Sequence, residues 1–311
     1  MGTSVIPDRL RGRLRLPLVA APMLTVSGPD VVAAACTAGV IGAFPTANCR
    51  SVDELDDWLG LLDGKLDAAH APVAANLIVH RSNRRLGDDL EVLVRRRCEL
   101  VITSVGSPAG VIEDLHAAGT TVWSDVASIR HADRAIEAGA DGLILLTAGA
   151  GGQTGTMNPF AFVREVRRRW AGTVVLAGGI GDGASLAAAR VLGADLGYAG
   201  TRFLATRESL AAPGYKAMVA GATSGDIVLT DAVTGLPASF LRDSLPQDGA
   251  GEKAAGFDVT TTLAGANGGR RSRWQDAWSA GHVTGVIDDV PALAELVDRL
   301  ASEYAAAGGP I

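Results

Sequence analysis

Short apolar runs recur along the first two thirds of the chain, and between them lie segments whose apolar residues fall at helical spacing. Runs of this length, rich in Val, Ile, Leu and Ala and without strict alternation, predict parallel strands buried on both faces. They fall at residues 16–21, 40–44, 72–78, 99–104, 121–123, 142–147, 173–177 and 195–199, and the intervening helices at 29–38, 52–62, 88–97, 109–118, 129–138, 159–170 and 184–192. Several helices end on glycine just ahead of the next run, at Gly39, Gly119, Gly139 and Gly193, where a left-handed cap is needed. Eight strands alternating with helices predict an α/β fold, a (β/α)8 TIM barrel. Beyond Glu208 the pattern loosens, and residues 222–285 read as an insertion or small subdomain after strand 8, a lid over the carboxyl face. Helical spacing returns over residues 290–304, so the barrel is expected to take residues 1–221 and 286–311.

With 311 residues, 48% of them hydrophobic and 20% charged, the chain is long enough to bury one large core. A net charge of −6 speaks against a nucleic-acid partner, which calls for a concentrated basic face; the runs Arg95 to Arg97 and Arg167 to Arg169 read as solvated helix ends. Cys36, Cys49 and Cys98 are far apart, with neither zinc-ligand nor disulfide spacing, which suits a reducing cytoplasm. The apolar run after Arg15 is short and interrupted by Pro17 and Pro22, so it reads as the first strand rather than a signal peptide, and no run has the length of a membrane span.

Glycine clusters follow the last three predicted strands: Gly149 to Gly155, Gly178 to Gly183, and Gly200 with Thr201. Such turns bring backbone N–H groups close to an anion, and barrel phosphate sites commonly lie in the loops after strands seven and eight. Backbone amides there, a helix amino terminus and the Thr201 hydroxyl form a candidate phosphate site. The stretch from Gly179 to Ala184 also fits the permissive dinucleotide fingerprint, but its place in the series of units suits a barrel loop better.

The chain resembles the nitronate monooxygenase family of FMN-dependent barrels. The likeness rests on Ala20-Ala-Pro-Met23, the stretch from Ala75 to Asn83, Val101 to Gly106, Ala148 to Gly155, Leu176 to Ile180 and Tyr198 to Glu208. It implies FMN held against Ala21, Pro22 and Met23, with Asn76 hydrogen-bonding the ring, Ser104 or Thr103 reaching the flavin or its ribityl chain, and Ala150, Gly151 and Gly152 in the neighbouring loop. Gly178, Gly179, Gly200 and Thr201 would hold the phosphate. The family loop commonly reads Gly-Gly-His-x-Gly, and its histidine is the expected base or donor beside the flavin; here the position is Gln153. Glutamine can orient a substrate but takes up no proton near neutral pH. His80 and His282 are the candidates to supply that proton chemistry, with Gln153 as the third catalytic candidate; Asp125 reads as an exposed strand-end carboxylate or a network anchor.

The function that follows from the resemblance is FMN-dependent oxidation of a small anionic molecule such as a nitronate. The alternative is an FMN-dependent reductase or dehydrogenase acting on the C=C bond of an enoyl or acyl thioester, or on a quinone with NAD(P)H, and Arg270, Arg271 or Arg273 would then meet a CoA phosphate. Behind these stand a barrel lyase whose substrate carries the phosphate, for which no lysine lies at a predicted strand end, and a non-catalytic flavin-binding protein. The expected partner is a small molecule, with self-association into a homo-oligomer open.

Overall fold

The computed structural model describes residues 6–245, 257–259 and 277–309. Eight parallel strands close a barrel: β1 (Leu18–Ala20), β2 (Ile41–Pro45), β3 (Val73–Ile78), β4 (Leu100–Ser104), β5 (Thr121–Val126), β6 (Gly142–Leu146), β8 (Thr173–Ala177) and β9 (Leu196–Ala199), with β9 pairing back onto β1. Each predicted strand and each predicted helix is present, with ends shifted by a few residues. One shift matters for the site, because β5 runs on to Val126 instead of stopping at Trp123.

Alternation along the strands separates two buried layers. Val122 and Val126 face the helices, whereas Trp123 belongs to the inner cluster with Val19, Ile41, Leu100, Ile144, Val175 and Leu196. The lower end of this interior is stopped by the amino-terminal turn, whose Ile6 and Leu10 pack into the same cluster. Arg9 of that turn donates to the Gly119 carbonyl (3.1 Å), and Arg13 pairs with Glu99 (2.8 Å).

The helix-ending glycines have the expected left-handed backbone: φ is +92° at Gly139 and +116° at Gly193. Each opens a Gly-Ala-Asp stretch whose aspartate reaches back to the preceding strand. Asp141 accepts from the Val122 N–H (2.8 Å), and Asp195 accepts from the Val174 N–H (2.9 Å) while pairing with Arg167. The last helix, Leu293–Ala306, closes the outer ring by packing between the helices Gly183–Leu192 and Pro29–Thr37.

The stretch after β9 contains a helix, Pro213–Gly221, and two strands, β10 (Ile227–Thr230) and β11 (Ala238–Leu241). These make a three-stranded antiparallel sheet with β7 (Gly152–Gln153), which belongs to the glycine loop after β6. Periodicity could not reveal this sheet, since β7 is two residues long and its partner lies far along the chain. No helix among the described residues is long and apolar enough to cross a membrane.

Candidate functional site

A cavity opens at the carboxyl ends of the barrel strands and holds about 1270 Å³ of empty space, counting its open mouth. Its floor is the next inward layer above Trp123. Ala21, Pro45, Leu146 and Ala177 supply the apolar part, and Asn76, Ser104, Asp125 and Tyr198 the polar part, one side chain from each barrel unit. The loops carrying Gly149 to Gln153, Gly178 to Ile180, and Gly200 with Thr201 form one rim. Leu204, Tyr215, Phe257, Val259 and Val283 add an apolar wall, in which Tyr215 stacks on Trp278 with ring centroids 5.0 Å apart.

All twelve residues expected to bind a cofactor line this cavity: Ala21, Pro22, Met23, Asn76, Ser104, Ala150, Gly151, Gly152, Gly178, Gly179, Gly200 and Thr201. The glycines have different reasons for being glycine. A Cβ on Gly149 would stand 2.9 Å from His282 Nδ1, and one on Gly151 would stand 2.8 Å from the Gly281 nitrogen and 2.9 Å from Thr201 Oγ1, so both permit close packing of chain against chain. Gly178 combines φ +108° with a Cβ position 2.6 Å from Thr147 Oγ1. Gly179 is the exception: φ is +81° and nothing lies within 4 Å of where a Cβ would be. Its bare backbone therefore faces open space in the cavity, an arrangement that admits a ligand oxygen.

Thr201 Oγ1 accepts from the Gly281 N–H (3.0 Å), which leaves its own proton to donate. The amino terminus of the helix Gly183–Leu192 is largely capped from within the chain. Asp182 accepts from the Ser185 N–H (2.7 Å), Ser185 Oγ takes the N–H groups of Gly181 and Asp182, and Glu303 takes that of Gly183 (2.8 Å). The helix terminus at the rim is instead that of the short turn Thr201–Leu204.

The other candidates are likewise constrained by their partners. Asn76 Nδ2 donates to the Ile102 carbonyl and to Ser104 Oγ, both at 3.0 Å, so its donor capacity is spent and its Oδ1 is left as an acceptor. Met23 is fixed through its backbone, its N–H donating to Ser27 Oγ and its carbonyl accepting from Asn48, both at 3.0 Å; its side chain and that of Pro22 present surface. Thr103 faces away, donating to Ser124 Oγ (3.0 Å).

Gln153 lines the cavity, and the pairing of its backbone with Ala238 in β11 holds it there. His80 and His282 are not brought to the lining. His80 Nδ1 bonds Ser82 Oγ (2.7 Å), and its ring packs edge-on against Phe257, which is itself part of the cavity wall. His282 is exposed behind the glycine loop, its N–H donating to the Gly149 carbonyl (2.9 Å). Arg270, Arg271 and Arg273 lie outside the described residues.

Asp125 and Tyr198 are the floor residues that sequence reasoning missed as site residues. With β5 extended to Val126, Asp125 has the inward parity of Trp123, and its exposure is to the cavity. Burial pushes its carboxyl up to about 7. Desolvation, with the nearby Asp125 carboxylate adding to it, raises the Tyr198 phenol well above its ordinary value. Tyr215, whose hydroxyl donates to the Ser279 carbonyl, carries no sequence signal that could have found it.

Comparison with known proteins adds a lineage to this geometry. The family model described as Nitronate monooxygenase matches residues 70–303. A nitronate monooxygenase of Paraburkholderia phytofirmans is 27% identical over 92% of this chain and 92% of its own. A 5-hydroxy-7a-methyl-1-oxo-octahydro-1H-indene-4-carboxyl-CoA dehydrogenase of Mycobacterium tuberculosis is 26% identical, covering 91% of each chain. Among solved structures, a nitroalkane oxidase from Streptomyces ansochromogenes superposes with a TM-score of 0.81 at 27% identity, over 96% of this chain and 99% of that one.

Proposed function

The chain belongs to the nitronate monooxygenase family of flavoproteins, and on that premise we propose that it is an FMN-dependent oxidoreductase that oxidises small nitronates. The observation that carries the cofactor assignment is the open backbone at Gly179, set between Gly178, Gly200 and the donor-bearing Thr201 hydroxyl, where a phosphate monoester fits and a side chain does not reach. The residues present thus suit FMN. Gly178, Gly179, Gly200 and Thr201 would hold its phosphate; Ala21, Pro22, Met23 and the loop from Ala150 to Gly152 would bound the ring; Asn76 Oδ1 would accept from it, with Ser104 fixing the amide. The flavin supplies the two-electron acceptor.

What the chain itself contributes is placement and exclusion of water. The apolar wall of Leu204, Phe257, Val259 and Val283 dries the substrate side, and Gln153 would donate its amide N–H to an oxygen of the nitronate, orienting the substrate in the cavity. A substrate that arrives already deprotonated needs no base, so Gln153 in place of histidine is compatible with this activity.

The breadth of the apolar wall favours a second reading, in which the same flavin serves a reductase or dehydrogenase of a larger acyl or enoyl thioester, or of a quinone with NAD(P)H. Anaerobic titration of the purified flavoprotein separates the two. Bleaching of the flavin absorbance by propyl-2-nitronate alone is expected; bleaching by NAD(P)H and not by nitronate would overturn the first reading in favour of the second.

A further inference from the structure

Asp125 has no part in the reading above, yet its surroundings are unlike those of the other buried acids. Buried Asp195 accepts the Val174 N–H and buried Asp89 pairs with Arg85 (2.7 Å), while half-buried Asp182 and exposed Asp141 each accept a backbone N–H. Asp125 Oδ1 is buried without a hydrogen-bond partner, the only carboxylate oxygen in that condition among the described residues. An unpaired carboxyl in the interior is costly unless the site uses it. Around it stand Ser104 on β4, Leu146 on β6, Asn76 on β3 and Tyr198 on β9, none of them charged. No Lys, Arg or His lines the cavity among the described residues, and the other ionisable side chains there, Tyr198 and Tyr215, are phenols whose burial holds them neutral. Gln153, at the rim, can donate to an oxygen but accepts no proton. Among the described residues, a substrate proton released in this cavity therefore has one side chain to go to.

We propose that Asp125 is the catalytic base that removes the α-proton of a neutral nitroalkane, so that the nitronate is generated inside the cavity; this rests on the reading of the protein as a nitronate-oxidising enzyme. In the step, the C–H bond next to the nitro group breaks, its electron pair delocalises into the nitro group to give the nitronate, and the proton forms an O–H bond on the Asp125 carboxylate. Nothing is oxidised or reduced at that point. The new anion faces a neutral carboxylic acid, so the cavity never holds two negative charges side by side. The desolvated position suits this exchange, because it makes the carboxylate a stronger base than a solvated aspartate.

The test compares wild type with Asp125→Asn and Asp125→Glu, each first shown to carry its flavin, on two substrates, neutral 2-nitropropane and pre-formed propyl-2-nitronate. For Asp125→Asn the rate of flavin reduction by 2-nitropropane is expected to drop by about 100-fold or more while the rate with the nitronate stays within several-fold, and glutamate is expected to restore part of the loss. In wild type, the rate with 2-nitropropane is expected to rise through about pH 7, and replacing the α-hydrogen by deuterium is expected to slow it. Equal losses on both substrates, or none on either, would overturn the proposal. A readout that needs no oxidation keeps it separate from the proposed function: wild type under nitrogen is expected to speed exchange of the α-proton of 2-nitropropane into D2O, and Asp125→Asn is not. Exchange with no flavin reduction by either substrate would sink the nitronate reading alone; equal exchange in both proteins would sink the role of Asp125 alone.

Discussion

Two positions lining the cavity show how differently single residues announce themselves. Gln153 is visible from the sequence because it interrupts a glycine loop where the family carries histidine, and the structure does set it on the cavity. Its amide can hold an anion but makes no covalent demand, so Gln153→Ala is expected to raise the KM for nitronate by roughly 10-fold, the loss of one hydrogen bond to a charged group, with flavin content unchanged. Asp125 was hidden for a geometric reason: ending strand five at Trp123 leaves it in a loop, whereas the strand that runs to Val126 turns its side chain inward. Its raised carboxyl also leaves a thermodynamic trace. From its ordinary 3.8 up to about 7, the folded chain retains a proton that the unfolded chain has released, so this group makes stability fall as pH rises through that window. Asp125→Asn removes the penalty, and is expected to gain on the order of 2–4 kcal/mol at pH 8 and little at pH 4, read from denaturant midpoints. A variant with the same gain at both pH values would mean that Asp125 does not titrate in this window.

The elements of the barrel were legible because their signals are local. A buried parallel strand is an apolar run, and a helix that must end before it needs a left-handed residue, which Gly39, Gly119, Gly139 and Gly193 provide. The aspartates two residues after Gly139 and Gly193 turn those ends into latches on the preceding strands. Arg167→Ala leaves the buried Asp195 carboxylate with the Val174 N–H and the Arg190 guanidinium 3.9 Å away, and a loss of roughly 1–3 kcal/mol is expected in urea unfolding, with no change in flavin binding. Gly183 marks a different constraint, a close helix crossing. A Cβ there would press on the Tyr304 nitrogen and the Leu300 carbonyl of the last helix, so Gly183→Ala is expected to lower Tm by several degrees through the ring closure. The small sheet was illegible for the opposite reason, since the pairing of Gln153 with Ala238 is set by tertiary geometry rather than by any run of residues.

Taken as a whole molecule, the barrel has a plugged lower end and an open upper one. Ile6, Leu10 and Trp123 fill the interior below, and the layer above them carries Asn76, Ser104, Asp125 and Tyr198 with free space over it. Three glycine loops at adjoining strand ends gather on one side of that space, which is why a repeated sequence feature pointed to a single site. If these loops cradle the phosphate of FMN, Gly178→Ala must fail to hold it, because the substitution combines a strained φ of +108° with contact against Thr147 Oγ1. The decisive measurement is the identity and amount of flavin released on denaturing the purified wild-type protein and this variant, read by mass and visible absorbance. One FMN per wild-type chain and a strongly depleted variant are expected; a wild type that holds no flavin after reconstitution, or a flavin other than FMN, would contradict the assignment of the glycine loops and the function built on it.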